Sequence, residues 1–269
     1  MNIIFIGAGN VAWHLASLFS NSKTEDLQIT HIWSRNKENA ELLKNKLNNN
    51  DLKIHSSITQ LDFSKTDADL AILAIADGAF ESILSKLILP KNCILAHTSG
   101  SQPMEILKLA NQNFIKNIGV FYPLQTFSKA KEVDFNDIPF CIESNEKEIE
   151  EKLTNLAKQF SQKVFQVSSK DRSILHVAAV FACNFSNYLW TISEQILKEK
   201  NLPFDMLKPL LGETLKKALE INPSNAQTGP AIRNDEKVIT KHLEMIKEMN
   251  LDDNFGQIYK LMTESIQKK

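Results

Sequence analysis

The residues best placed to do chemistry begin at the first turn of the chain. Gly7-Ala8-Gly9-Asn10-Val11-Ala12 follows the apolar run Asn2–Ile6 and opens an amphipathic stretch. A glycine permits a tight turn, a second lets backbone approach a pyrophosphate, and a small third position lets helix pack on strand. The helix N-terminus adds free amides and a favourable dipole. At the end of the next β-rich run, where a ribose-binding acid is expected for NAD, stands Ser34-Arg35-Asn36. An Arg there can pair with a 2′-phosphate and stack on adenine, which favours NADP. The alternative is an Arg on an exposed loop.

Three later runs end in polar residues at what would be the same sheet edge: Ala76 and Asp77, then His97, Thr98 and Ser99, then Tyr122 and Gln125. Open α/β sheets bind ligands at that edge. Ala76, Asp77, Thr98 and Ser99 are read as cofactor-side residues, although Asp77 could simply cap a helix. Tyr122 and Gln125 are assigned to the substrate, and His97 to catalysis or to holding its own loop. Further along, His176, Asn184 and Asn187 interrupt an apolar helix at spacings that a 3.6-residue period brings to one face. His176 and Asn184 are candidate catalytic groups and Asn187 a candidate substrate ligand, with bonding inside the core as the other reading.

Positioning these groups requires alternating elements. Strands are predicted at Asn2–Ile6, Gln28–Trp33, Leu52–His55, Asp69–Ala74, Cys93–His97, Ile115–Phe121, Ile138–Glu143 and Lys163–Val167, with helices near Asn10–Ser20 and Glu146–Gln159 between them. Mostly apolar strands covered by helices on both faces describe an α/β, doubly wound, Rossmann-like sheet over residues 1–169. Residues 170–269 carry no strand signal and read as an all-helical second domain for substrate and dimerisation, with helices near 171–200, 204–221, 235–249 and 252–267.

Charge excludes several functions. With 31 basic and 32 acidic residues among 269, balanced in both halves, no basic field exists for nucleic acid or anionic lipid. Cys93, Cys141 and Cys183 match no zinc spacing, no metal is expected, and all three read as buried thiols in a reducing compartment. The start lacks a signal peptide's basic flank, so a cytoplasmic location is expected. The block Ile174–Ile192 contains His176, Asn184, Ser186 and Asn187, which are costly in lipid, so it reads as a helix buried within protein and not a membrane span.

The segments Gly7–Val11, Ser34-Arg35, His97–Ser101, Tyr122–Gln125, His176–Asn184 and Thr228-Gly-Pro-Ala231 together resemble a bacterial family of NADP oxidoreductases. Its members join a Rossmann-like N-terminal domain to a helical C-terminal domain of unknown function, and are grouped with pyrroline-5-carboxylate reductases and 6-phosphogluconate dehydrogenase-like enzymes. The resemblance spans nearly the whole chain. It implies NADP binding and a homodimer built through the helical domain, and it supplies no substrate; a small-molecule substrate is expected, with Thr228 among the residues assigned to it. Hydroxyacid dehydrogenases of that superfamily carry a catalytic Lys on the first C-terminal helix, and here no Lys lies between Asp171 and Leu197. Two functions follow as expectations: hydride transfer to or from a small carbonyl or imine compound between the domains, or an NADP-binding or sensing module without catalysis.

Overall fold

The computed structural model describes residues 1–22, 27–113, 115–249 and 251–268. Eight strands form one sheet: β1 (Asn2–Ile6), β2 (Gln28–Trp33), β3 (Lys53–His55), β4 (Leu70–Leu73), β5 (Ile94–His97), β6 (Ile118–Pro123), β7 (Phe140–Ser144) and β8 (Val164–Gln166). Their order is β3-β2-β1-β4-β5-β6-β7-β8. Every residue of β4, β5 and β6 is buried, as continuous apolar runs must be when both faces are covered. The edges are instead short, and on β8 Phe165 and Gln166 are exposed. This is the doubly wound Rossmann-like sheet anticipated above, with the strand order reversing between β1 and β4.

One pairing departs from the parallel pattern. β7 runs antiparallel to β6, with Pro123 opposite Phe140. The 124–139 segment contains no helix, so the chain re-enters the sheet beside the end it has just left. A parallel return needs a crossover to the opposite end.

Helices α1 (Asn10–Ser20), α2 (Lys37–Leu47), α3 (Phe80–Leu84), α4 (Lys147–Lys158) and α5 (Ser169–Ala179) accompany the sheet. One apolar layer joins α1, α2 and α4 to one sheet face, where Leu15, Phe19, Leu43 and Leu153 pack on Phe5, Phe121 and Phe140. The second layer gathers Phe80, Leu84 and Leu107 over Ile4, Leu73 and Val120. These elements make up a compact unit, Met1–Ala179.

The second unit, Val180–Lys269, is all helical among its described residues. It starts with a π-helical turn at Val180–Phe185 and continues with α6 (Ser186–Lys198), α7 (Lys208–Ile221), α8 (Pro223–Ala226), α9 (Glu236–Glu248) and α10 (Asn254–Gln267). Its core is sparse. α7 buries no residue, α6 buries only Ile192, and α9 only Ile239. Over Ile174–Ile192, read above as a helix buried within protein, Ile174, Val177, Phe181, Phe185 and Trp190 are exposed in the single chain. Cys183 is exposed too, whereas Cys93 and Cys141 are buried. Within the same stretch Ile192 is buried and Leu189 half-buried. No helix among the described residues is long and apolar enough to cross a membrane.

Candidate functional site

The turn after β1 is built around Gly7, whose φ is +118°. A Cβ there would overlap the carbonyl oxygen of Ala74 at the end of β4, so glycine is required both by conformation and by space. Gly9 differs: it has ordinary dihedrals, and a Cβ on it would meet nothing within 4 Å. The room beside it is open. Gly9 is also the N-cap of α1, no side chain caps that helix, and its first turn holds no acid. Its leading amides are therefore available to an anion.

A cavity of about 470 Å³ lies at this turn. It is lined by Gly7, Ala8 and Gly9, by Ser34, Arg35 and Asn36 after β2, and by Ala76 after β4. Arg35 is exposed and makes no ion pair among the described residues. Ser34 is nearly buried, and its N–H donates to the His55 carbonyl at 3.0 Å, which ties the loop to β3. The Asn36 side chain accepts from the Asn39 N–H and so caps α2 while lining the cavity. Asn39, Ser56 and Ser82 also line it. Nothing in their local pattern separates them from ordinary surface residues. The donor set of helix amides, hydroxyls and one free guanidinium fits a phosphorylated dinucleotide, and it lacks the acid that a free 2′-hydroxyl favours.

Other residues assigned to the cofactor are engaged elsewhere. Asn10 donates through Nδ2 to the Phe127 carbonyl at 3.0 Å, and Val11 packs into the core. Asp77 accepts a hydrogen bond from the Ser101 hydroxyl. The Thr98 N–H donates to the Leu73 carbonyl, and the Ser99 hydroxyl accepts from the N–H groups of Ser101 and Gln102. None of these five lines the cavity.

At the far side of the sheet edge, Tyr122 and His176 form a pair, with the phenolic oxygen 3.2 Å from Nδ1. Burial pushes the Tyr122 hydroxyl up to about 12, so it remains protonated. Tyr122 is only 9% exposed and meets the His176 ring edge-on, making it a partner of the histidine more than a surface for substrate. His176 is part-exposed, and its Nε2 carries no hydrogen bond among the described residues. Gln125 is exposed, and its Oε1 accepts from the Thr126 N–H.

His97 is fully buried against Phe80. Its Nδ1 accepts from the Ser99 N–H at 3.1 Å, which puts the proton of the neutral ring on Nε2. Burial first, and then the Arg172 charge, lower its pKa to about 3. A ring held neutral and out of solvent is a loop anchor, so the structural alternative for His97 is the one this geometry supports.

In the second unit Asn184 and Asn187 are exposed, and the π-helical turn interrupts the 3.6-residue period on which their shared face with His176 was argued. Thr228 lines an apolar cavity of about 330 Å³ with Ile192, Phe255 and Tyr259.

Two family models match the chain: one described as NADP oxidoreductase, coenzyme F420-dependent, over residues 2–98, and one described as a domain of unknown function, DUF2520, over 138–266. Among curated proteins none matches. A solved structure from Bacteroides fragilis, described as a candidate NADP oxidoreductase, is 36% identical, with a TM-score of 0.88, covering 100% of this chain and 98% of that one. An imine reductase from Myxococcus stipitatus, solved with NADP+, is 14% identical with a TM-score of 0.65, covering 100% of this chain and 95% of that one. A pyrroline-5-carboxylate reductase from Streptococcus pyogenes is 17% identical with a TM-score of 0.55, covering 100% and 99%. The last two share the fold.

The buried histidine gives a measurable signature. Below an ordinary imidazole pKa of 6.5 the unfolded chain binds a proton at His97 that the folded chain, with its value near 3, does not. The stability it contributes is present above about pH 6.5 and falls by roughly 1.4 kcal/mol per pH unit below it. Urea unfolding at about pH 6.5 and about pH 5 should show a loss of roughly 2 kcal/mol more for the wild type than for His97→Gln. Equal losses in the two proteins would show that His97 titrates normally.

Proposed function

The chain belongs to the bacterial NADP oxidoreductases that join a Rossmann-like domain to a helical C-terminal domain of unknown function, and from that premise we propose that it reduces, or forms by oxidation, a small polar carbonyl or imine compound. The observation that carries the cofactor half of this reading is the cavity where an uncapped helix N-terminus, an open Gly9 and an unpaired Arg35 meet. Bound NADPH would supply the hydride. Gly9 and the first amides of α1 would hold the pyrophosphate, and Ser34 and Arg35 the 2′-phosphate.

The chain's own acid–base group in this reading is His176. Nδ1 is paired with the Tyr122 oxygen, so the protonated ring would pass its Nε2 proton to a carbonyl oxygen as the carbon accepts hydride and return to neutral imidazole. An iminium substrate already carries its positive charge and needs no such proton. Incubating the protein with NADPH and a panel of ketoacids and cyclic imines should reveal consumption with at least one class. His176→Ala should then lower kcat for a carbonyl by about 10²-fold or more, with NADPH affinity unchanged. NADPH binding without turnover on any member would favour the sensing module instead.

Cofactor preference is a separate expectation. NADPH should bind more tightly than NADH, and Arg35→Ala should remove most of the difference, on the order of 1 to 3 kcal/mol for a lost charge-assisted contact. Fluorescence titration giving equal affinities in the wild type contradicts this.

We further infer a homodimer through the helical unit. Leu210, Leu215 and Leu219 on α7 are between 61% and 77% exposed, and Phe181 is 65% exposed, in a unit with almost no core of its own. Apolar surface on this scale marks a protein interface. Light scattering at micromolar concentration should give twice the 30.5 kDa chain mass. A monomer that remains folded would refute it.

A further inference from the structure

Arg172 is the largest fully buried side chain among the described residues, and a buried guanidinium is tolerated only when its donors are met. Its Nη1 donates to Glu143 Oε2 on β7 at 2.6 Å. Its Nη2 donates to the Gln102 carbonyl at 2.6 Å and to the Ser169 hydroxyl oxygen at 3.2 Å, and its Nε to the Ser99 carbonyl at 3.2 Å. Ser169, at the start of α5, donates to both Glu143 oxygens through its N–H and its hydroxyl. The Met104 N–H in turn donates to the Ser169 hydroxyl oxygen. One cation thus fastens the loop after β5 to β7 and to the first turn of α5.

Gly100 lies in the fastened loop, between the two carbonyls that Arg172 grips. A Cβ on Gly100 would stand 2.5 Å from His176 Nδ1 and 2.9 Å from Tyr122 Cζ. The loop backbone is therefore pressed directly against the pair, at the one residue type that leaves room. Arg172 and His176 are four residues apart on α5, so they lie on the same face of that helix. The imidazole is fixed from below by the helix that carries it and from the side by a loop that the same helix holds.

We propose that Arg172, with Glu143 as its counter-charge, is a positioning residue for His176: it sets the Ser99–Gln102 loop so that Gly100 confines the imidazole with Nδ1 toward Tyr122 and Nε2 free. The consequence for turnover rests on the reading of His176 as the proton donor, while the positioning itself does not. Arg172 lines no part of the dinucleotide cavity.

The test uses the full chain with ¹⁵N-labelled histidine and long-range ¹H–¹⁵N spectra of the imidazoles, the His176 signals being identified by their loss in His176→Asn. The wild type should show one dominant tautomer at His176. Arg172→Lys keeps the charge but cannot reach both carbonyls, and Gly100→Ala keeps every Arg172 bond while intruding on the ring. Both should broaden or split the His176 signals, leave those of His242 unchanged, and keep the NADPH Kd within about twofold. His242 makes its own bond to Tyr259 in the second unit and serves as the internal control. Thermal melts monitor folding. If Arg172→Lys fails to fold, Gly100→Ala decides alone. His176 signals superimposable on the wild type in a folded Arg172→Lys or Gly100→Ala protein overturn the proposal. Should His176→Ala retain full turnover while these variants still disturb the ring, the catalytic reading falls and the positioning stands.

Discussion

The close approach of β1 and β4 governs most of what this molecule can do. The two strands are hydrogen-bonded neighbours in the middle of the sheet, yet the chain leaves their carboxyl ends toward opposite directions of the strand order. A crevice opens where they part. It survives only because the residue that turns out of β1 has no side chain: anything larger than hydrogen at Gly7 meets the Ala74 carbonyl. The cavity wall, the exposed amides of α1 and the placement of Ser34-Arg35 on the adjoining strand end all follow from that one permitted contact.

Much of this was legible from residue order. The glycine turn was readable because it followed a short apolar strand and opened a helix, and Ser34-Arg35 because it closed the next strand. The strand runs were legible for the same reason, since burial on both faces makes them almost wholly apolar. What escaped was information held in three dimensions. Arg172 and Glu143 are 29 positions apart and each looks like an ordinary surface charge in its own neighbourhood. The 3.2 Å bond between Tyr122 and His176 joins residues 54 positions apart. The antiparallel β7 was hidden because strand direction depends on what joins the strands, and a long helix-free segment carries no signature of its own. His97 ends its strand as a catalytic histidine would, and only its complete burial distinguishes an anchor from an acid.

The two units obey different economies of burial. In Met1–Ala179 two thick apolar layers sandwich the sheet, and isolated exposed apolar residues there need no explanation. In Val180–Lys269 the ratio is inverted: helices with clear apolar faces stand almost uncovered, and the few buried positions among the described residues are Ile192 on α6, Ala231, Ile239 on α9, and Phe255 and Thr263 on α10. Ridges of leucine along α7 have the periodicity of a packed helix without the packing. Hydrophobic patterning records that a face will be covered; it does not record which chain does the covering.

The 124–139 segment returns over the start of α1, where the Phe127 carbonyl accepts from Asn10 Nδ2 and His14 Nε2 lies 2.9 Å from the Ser128 carbonyl with its ring stacked on Phe127. Asn10 thus acts as a tether from inside the glycine motif. The strand that carries Tyr122 runs directly into this strap, so one continuous stretch of chain joins the glycine turn to the Tyr122–His176 pair. The first turn of α1 is thereby held by the same continuous stretch of chain that leaves the β6 strand at Pro123.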